Sequence, residues 1–261
     1  MGIVNITPDS FSDGGCFLSP QAAITQAMKL IEDGADSIDL GAESARPGAR
    51  PISCDLEWQR LAPVIAALRP RLPQHCRLSI DTTKPELMRR ALGEGVTIIN
   101  NTRGLVDPAS LQAIAAYPAV SYIAMHCHGN PTTMQVKPLH GEQAIGTVEE
   151  FFTRSTLTLQ QAGFREAAIF MDPGIGFGKT DQANLRLMAH TPQFAQRYQL
   201  VLGVSRKSWL GRLLELPAAE LRDAPSKIAE FTLGLAGAKI IRTHEVRSLA
   251  RLRQVYTKAE A

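Results

Sequence analysis

Residues 77–100 read RLSIDTTKPELMRRALGEGVTIIN, and this stretch decides the fold. Two short runs, 77–81 with Leu78 and Ile80 and 97–100 with Ile98 and Ile99, enclose a longer amphipathic segment at 85–94 that begins on Pro85. Short apolar runs are typical of parallel strands buried on both faces, and proline is favoured at the first position of a helix. The stretch therefore predicts a strand, a helix and a second, parallel strand.

The same alternation runs along the whole chain. Strands are predicted at 2–6, 37–41, 77–81, 97–100, 121–126, 168–172, 200–204 and 239–242. Helices are predicted at 20–33, 53–68, 85–94, 108–116, 142–162, 182–190, 207–214, 226–236 and 246–256. About eight strand–helix units in 261 residues predict an α/β fold, a (β/α)8 TIM barrel that forms a single domain over 1–261. A doubly wound open sheet is the alternative, although it usually has fewer strands and a glycine-rich first turn, which this sequence lacks.

Composition excludes several classes of function. The net charge is +3, and no long run of Lys or Arg occurs, so we expect no nucleic-acid partner. No apolar run approaches the roughly 18–20 residues that cross a bilayer, so we expect no membrane contact. The four cysteines match no disulfide framework and no zinc ribbon. Reduced thiols and a cytoplasmic location are the expectation.

Ionisable or amide side chains stand where the predicted strands end. The set comprises Asn5, Glu43, Arg46, Asp81, Asn100, His126, Asp172, Lys207, Arg242 and His244. In a barrel of this kind the active site lies at the carboxyl ends of the strands, so these side chains converge on one pocket. Each one alone could equally be structural: Asp39, within strand two, and Asp81 could cap helices or brace loops. Together they predict a polar small-molecule site.

The residue types indicate two ends of that site. The predicted anion cradle comes from strands one, two and eight and comprises Asn5, Arg46, Arg242 and His244. Arginine forks match phosphate oxygens, and Mg²⁺ held by one amide and by substrate phosphates would fit beside them. The other group comprises Asp81, Asn100, Asp172 and Lys207. Carboxylates and amides suit a flat, donor-rich heterocycle, so the pocket is predicted to hold a heterocycle and a diphosphate.

Three further motifs have simpler interpretations than a dedicated nucleotide or metal site. The glycine-rich loop 174–180 has Pro173 where a phosphate-binding Walker loop needs its first glycine. The run His126-Cys127-His128 cannot converge on one metal from a single strand, because neighbouring side chains point to opposite faces. Phe11 lies among serine and glycine residues after the first strand, and we interpret it as part of a mobile lid over the substrate.

The longest motifs resemble those of dihydropteroate synthases, and the resemblance covers nearly the whole chain. They are GIVNITPDSFSDGG (2–15), ESARPG (43–48), MH (125–126), GNPTTMQ (129–135), DPGIGFG (172–178), SRKS (205–208) and RTH (242–244). The family joins a pterin pyrophosphate to 4-aminobenzoate on a TIM barrel, and sulfonamides compete with the aminobenzoate. The resemblance therefore implies a Mg²⁺-dependent enzyme of folate biosynthesis.

The resemblance also implies a role for each motif residue. Pterin binding falls to Asp81, Asn100, Asp172 and Lys207, and pyrophosphate binding to Asn5, Arg46, Arg242 and His244, with Asn5 as the metal ligand. The aminobenzoate and lid residues are Phe11, Ala45, Pro47, Lys207 and Ser208. Asp81, Asp172, Lys207 and Arg242 are expected to carry catalysis. Pyrophosphate leaves first, and the aminobenzoate nitrogen then attacks the pterin methylene cation.

The chain departs from the family pattern at Ala45, Asn101 and Thr102, where Thr, Asp and Ile are usual. These departures motivate a second hypothesis, a pterin-binding paralogue without synthase activity. A third, a folate-dependent methyltransferase on the same barrel, is disfavoured by the intact anion set at Arg46, Arg242 and His244. The family commonly dimerises through late helices, and the apolar segment 226–236 predicts a homodimer here.

Overall fold

The computed structural model describes residues 1–7, 19–44, 48–104, 107–117, 119–130 and 132–260. Within them the strands are β1 (Gly2–Asn5), β2 (Ser37–Gly41), β3 (Arg77–Asp81), β4 (Ile98–Asn101), β5 (Ser121–Met125), β6 (Ile169–Asp172), β7 (Val201–Leu202) and β8 (Ile240–Ile241). Strands β1 to β6 form one parallel sheet in sequence order, and β7 pairs with β8, also in parallel. The order of the strands in the sheet therefore follows their order in the chain.

Two sets of backbone contacts close this sheet into a ring. Between β6 and β7, Met171 bridges to Leu200, and its N–H donates to the carbonyl oxygen of Gln199 at 2.8 Å. Between β8 and β1, Gly2 bridges to Thr243, and the Ile3 N–H donates to the Thr243 carbonyl at 3.0 Å. The predicted closed barrel is thus confirmed, and the open-sheet alternative is wrong.

Helices surround the ring. They are α1 (Pro20–Glu32), α2 (Cys54–Leu68), α3 (Pro85–Gly93), α4 (Pro108–Ala115), α5 (Gly141–Gln161), α6 (Asp181–Ala189), α7 (Thr191–Ala195), α8 (Ser208–Leu213), α9 (Asp223–Leu235) and α10 (Arg247–Glu260). Side-chain caps fix several starts, since Ser19, Ser53 and Thr180 each accept a backbone N–H from the first turn. None of the described helices is both long and apolar enough to span a membrane.

The barrel interior is apolar at one end and polar at the other. Met1, Ile98, Ile123, Phe170 and Val201 form a small buried cluster inside the ring, near the amino ends of the strands. Strand side chains alternate between faces, so the inward residue two positions after Ile98 is Asn100, and two after Phe170 is Asp172. The sequence pattern therefore carries polar side chains to the carboxyl-end mouth of the barrel.

Candidate active site

A cavity of about 430 Å³ opens at the carboxyl-end mouth of the barrel. Every strand, or the loop that follows it, contributes to its wall; among the lining residues are Asn5, Glu43, Asp81, Asn100, Met125, Asp172, Lys207, Arg242 and His244. A larger cavity of about 550 Å³ lies near the amino ends of the strands, beside α9 and α10. The site belongs to the first cavity, because there the polar strand ends converge, as is general for this fold.

The buried Asp39 and the half-buried Arg242 form the centre of the polar layer. The fully buried Asp39 carboxylate accepts hydrogen bonds from the Ser79 hydroxyl at 2.6 Å, the Asn100 amide at 2.9 Å and the Arg242 guanidinium at 2.6 Å. Arg242 also donates to Asp81 at 2.9 Å. Burial by itself lowers the pKa of Arg242, but the two carboxylates outweigh it and the pKa is raised. Arg242 is therefore a fixed cation held by two carboxylates.

Asp81 carries a titratable charge at this mouth. Burial raises its pKa from 3.8 to about 7, against the opposing effect of the Arg242 guanidinium. The Thr102 hydroxyl also hydrogen-bonds to Asp81 and lowers this pKa. Thr102 thus puts a polar contact on a carboxylate of the cavity wall.

Asp172 is held by the turn that follows β6. Its Oδ1 accepts the Gly174 N–H at 2.7 Å. Gly174 has a φ of +64°, and a Cβ there would lie 1.9 Å from the carbonyl oxygen of His126, so the turn requires glycine. Burial raises the pKa of Asp172, while the Gly174 N–H and the nearby Lys207 ammonium oppose the rise. The result is a buried carboxylate with a fixed orientation.

Lys179 holds the adjoining glycine-rich loop, 174–180, in place. Its buried ammonium donates to three backbone carbonyls, those of His126 at 3.3 Å and of Gly174 and Phe177 at 3.0 Å. Burial lowers the pKa of Lys179 to about 7. Lys179 therefore fixes the glycine-rich loop by satisfying its carbonyls, in agreement with the prediction that this is a barrel loop.

Lys207 follows a residue in an unusual conformation. Arg206 has a φ of +55°, a left-handed value that is rare outside glycine. Helix α9 stabilises it, because Arg206 donates twice to Asp223, at 2.6 and 2.9 Å, and its N–H donates to Ser226 at 3.1 Å. The Lys207 ammonium lies 4.1 Å from the centre of the Phe177 ring, and burial lowers its pKa to about 8.

His244 is anchored through Ser205. The Ser205 hydroxyl oxygen lies 3.0 Å from Nδ1 of the imidazole and accepts the His244 backbone N–H at 3.2 Å. Burial, together with the surrounding cations led by Arg206 and Arg242, lowers the pKa of His244 well below 6.5. The imidazole is therefore neutral in the free protein near neutral pH.

The base of the loop after β2 is fixed by a carboxylate and a lysine. Glu43 Oε2 accepts the Ile52 N–H and the Lys84 ammonium, each at 2.7 Å. Lys84 also donates to the fully buried Glu57. Glu43 thereby ties together the two ends of the segment that carries the predicted Arg46, Ala45 and Pro47.

Most predicted site residues meet in the one cavity. They are Asn5, Asp81, Asn100, Asp172, Lys207, Ser208, Arg242 and His244. Phe11, Ala45, Arg46 and Pro47 lie outside the described residues. His126, also at a strand end, is buried against Phe151 with ring centroids 5.3 Å apart and does not line this cavity.

One departure from the family pattern lies away from the cavity wall. The buried Asn101 amide donates to the Tyr122 hydroxyl at 2.8 Å, and its carbonyl oxygen accepts the Arg103 N–H at 3.1 Å. Asn101 is not among the lining residues, whereas Thr102 is. The change from Asp to Asn at position 101 therefore affects the contacts that support β4 rather than the cavity wall itself.

A closed parallel barrel with a polar, carboxylate-rich cavity at its carboxyl-end mouth defines a (β/α)8-barrel enzyme. Residues 1–244 match the sequence profile of a family described as pterin binding enzyme. The dihydropteroate synthase of Escherichia coli K12 is 39% identical over 256 residues, which is 98% of this chain and 89% of that relative.

Solved structures agree with this assignment. The Yersinia pestis dihydropteroate synthase, solved with a sulfonamide drug, superposes with a TM-score of 0.92 at 35% identity, covering 100% of this chain and 94% of its own. The Xanthomonas albilineans enzyme, solved with 4-aminobenzoic acid, gives 0.90 at 35% identity, covering 100% and 92%. The chain belongs to the dihydropteroate synthases of the pterin binding enzyme family, which confirms the resemblance seen in its motifs.

Proposed function

We propose that the protein condenses 6-hydroxymethyl-7,8-dihydropterin pyrophosphate with 4-aminobenzoate, giving 7,8-dihydropteroate and pyrophosphate. The observation that carries the proposal is the convergence of Asp81, Asn100, Asp172, Lys207, Arg242 and His244 on one cavity. Carboxylates that accept N–H groups stand in the same cavity as fixed and titratable cations. A reaction that separates a heterocycle from a diphosphate requires both.

The pterin is assigned to the inner carboxylates. Asp172 and Asp81 are buried or half-buried, and both accept hydrogen bonds from fixed partners, so little reorganisation accompanies binding. We propose that Asp172 grips the amino-pyrimidinone edge of the pterin, since a buried carboxylate discriminates strongly for parallel N–H donors. Asn100 and Lys207 supply the remaining polar contacts.

The diphosphate is assigned to the cationic side of the cavity. Arg242 is held in place by Asp39 and Asp81, and His244 by Ser205. Arg46 would join them from the loop after β2. These groups stabilise the charge that develops on the leaving diphosphate, which then departs before the aminobenzoate nitrogen attacks the pterin methylene.

The aminobenzoate is assigned to the outer rim. Ser208 is exposed beside Lys207, and we propose that both flank the aminobenzoate together with Pro47, Ala45 and Phe11. The Yersinia pestis relative was solved with a sulfonamide drug. We propose that sulfonamides compete with aminobenzoate here as well.

The residues at the diphosphate end of the cavity fit a magnesium ion that binds together with the substrate diphosphate. Among the described residues no group of three or more His, Cys, Asp or Glu side chains could hold a metal, and Asn5 brings one amide side chain to the cavity wall. Mg²⁺ commonly takes one or two protein oxygens and completes its shell with phosphates and water. We propose Asn5 as the protein ligand. When bound, the ion would neutralise charge on the diphosphate.

The location and the assembly are also proposed. Cys54, Cys76 and Cys127 are free thiols, as expected in a reducing compartment, and the cytoplasm remains the expectation. A homodimer would form through α9, where Ile228 and Leu235 are exposed.

Pyrophosphate release tests the proposed reaction. Wild-type protein is incubated with the pterin pyrophosphate, Mg²⁺ and 4-aminobenzoate beside an Asp172→Asn variant. We expect release to depend on aminobenzoate and to fall at least about a hundredfold in the variant, roughly 2.7 kcal/mol of transition-state stabilisation. A folded wild-type protein that binds pterin without releasing pyrophosphate would instead be the binding paralogue.

A further inference from the structure

A buried carboxylate stands behind His244 on helix α9. Glu230 is fully buried, and its Oε2 accepts the Lys227 ammonium at 2.6 Å and the Thr243 hydroxyl at 3.0 Å. Its Oε1 is buried and has no hydrogen-bond partner of good geometry among the described residues. An unsatisfied buried carboxylate oxygen is costly, so a donor directed towards it gains stability.

Ser205 brings a hydroxyl close to this carboxylate, because Glu230 binds Thr243 and Ser205 binds His244, the next residue along the chain. The hydroxyl lowers the pKa of Glu230, against the rise that burial causes. The same hydroxyl oxygen already accepts the His244 backbone N–H and lies 3.0 Å from the His244 Nδ1. Ser205 therefore stands between a carboxylate on α9 and an imidazole in the cavity wall.

The direction of the Ser205 proton decides the state of the imidazole. A hydroxyl has one proton and two acceptor lone pairs, and the His244 backbone N–H occupies one lone pair. If the proton turns to Glu230, the second lone pair accepts Nδ1–H, and a neutral imidazole then has an unprotonated Nε2. If Glu230 did not draw the proton, Nδ1 could accept it, and Nε2 would carry the hydrogen instead.

We propose that Ser205 and Glu230 are positioning residues that keep the His244 proton on Nδ1 and leave Nε2 unprotonated at the cavity. Lys227 opposes the rise in the pKa of Glu230 that burial causes and so favours the carboxylate form, which can draw the hydroxyl proton. The cations that face His244 are Arg206 and Lys207 in the β7–α8 loop, Arg242 at the end of β8 and Lys227 on α9. Among them the imidazole stays neutral until an anion arrives, so its tautomer matters in the free protein.

The functional consequence rests on the proposed function. A basic Nε2 can take up a proton when the diphosphate brings negative charge, and the resulting imidazolium donates to a phosphate oxygen. His244 held in the other tautomer would already donate from Nε2 but could accept no proton there. We call Glu230, Ser205 and His244 together the relay. The relay thus prepares His244 for a ligand more highly charged than a monoanion.

The tautomer is measured directly from side-chain ¹⁵N resonances of the full chain, near pH 8. The His244 signals are identified by their loss in His244→Gln. We expect wild type to carry the proton on Nδ1. The double variant Lys227→Met/Glu230→Leu removes the acceptor with apolar side chains of similar size, a replacement that cores often tolerate, and we expect the proton to move to Nε2.

Two serine variants and a control complete the test. Ser205→Ala is expected to leave a mixture of tautomers and to weaken binding of inorganic pyrophosphate about fivefold to tenfold. Ser205→Thr keeps the hydroxyl and should restore both. Ser121→Ala removes a buried hydroxyl near the amino ends of the strands and should change neither.

The outcomes separate this inference from the proposed function. Nε2–H in wild type, or an unchanged tautomer in Ser205→Ala and in the double variant, would overturn the relay. The expected tautomers in a protein that shows no aminobenzoate-dependent turnover would support the relay and remove the proposed synthase activity.

Discussion

Asp81 and Lys207 place opposite charges in the cavity wall, and burial shifts both towards neutrality. The pKa of Asp81 is raised to about 7 and that of Lys207 is lowered to about 8, with desolvation as the largest cause in each case. A pterin that donates to a carboxylate and accepts from an ammonium requires Asp81 ionised and Lys207 protonated. Only a narrow range of pH meets both conditions.

The affinity of the free protein for a hydroxymethyl-dihydropterin should therefore show a bell-shaped dependence on pH. Below about 7 Asp81 takes up a proton, and above about 8 Lys207 loses one, so affinity falls on each side with a limiting slope of about tenfold per pH unit. A pterin without the diphosphate is used because phosphate groups titrate in the same range. Isothermal calorimetry between pH 5 and 10 would measure both limbs.

A lysine-to-arginine exchange provides the control. Lys207→Arg carries a guanidinium that stays protonated over this range, so the alkaline limb should disappear while the acid limb remains. The absolute affinity is expected to fall, since a planar fork does not replace a compact ammonium. An alkaline limb that persists in Lys207→Arg would show that another group causes it.

Among the structural elements, the loop between β6 and α6 depends most on its glycines. Gly174, Gly176 and Gly178 all have positive φ, and a Cβ on Gly178 would lie 2.1 Å from the carbonyl oxygen of His128. The loop therefore lies directly on the backbone that follows β5. This close approach sets the position of Asp172.

Gly174→Ala should accordingly destabilise the protein by about 2–4 kcal/mol, because it adds backbone strain and a clash with the His126 carbonyl. The matched control is Gly146→Ala in α5, where an added Cβ meets nothing within 4 Å. That change should stabilise by about 0.5–1 kcal/mol. Urea unfolding of both variants measures the difference, and equal midpoints would contradict this account of the loop.

The elements that sequence predicted best are those with local signals. Helices α1, α2 and α6 have capping side chains at Ser19, Ser53 and Thr180, and their starts lie within one residue of the predicted positions. By contrast, β7 and β8 contain two residues each and pair regularly only with each other. Single bridges join the end segments of this pair to β6 and β1, and such contacts between distant parts of the chain leave no local signal in the sequence. The short α7 was not predicted, since five residues carry no helical period.

The site was predictable where residues end a strand and missed where they support another residue. Asp39 was noted but not assigned, although a carboxylate in the middle of an apolar strand is a signal, and it binds Ser79, Asn100 and Arg242. Ser205 was quoted within the SRKS motif but given no role, and Glu230 was not noted. The Glu230 contact with Thr243 joins α9 to the end of β8, and the Ser205 contact with His244 joins the segments that follow β7 and β8. No spacing along the chain predicts these contacts.

At the scale of the whole molecule, the barrel leaves an apolar surface on its last helices. Ile228 and Leu235 of α9 are 71% and 51% exposed, and Phe231 on the same face of the helix contacts Tyr256 of α10, with ring centroids 5.9 Å apart. Apolar side chains that share one helix face are typical of a subunit interface rather than of a solvated surface.

The homodimer proposal therefore predicts that Ile228→Glu separates the subunits. A carboxylate buried without a partner at an apolar interface costs about 3 kcal/mol, which weakens the dimer roughly a hundredfold. The control is Leu157→Glu on α5, where the leucine is 54% exposed on a different helix. Light scattering over a range of concentrations should give a dimer for wild type and for the control, and a monomer for Ile228→Glu.

Since Ile228 lies on the same helix as Glu230 but faces outward, pyrophosphate affinity in the Ile228→Glu monomer also indicates whether the His244 support needs the second subunit. A wild-type protein that is monomeric at high concentration would remove the homodimer and leave the barrel, the cavity and the relay within one chain.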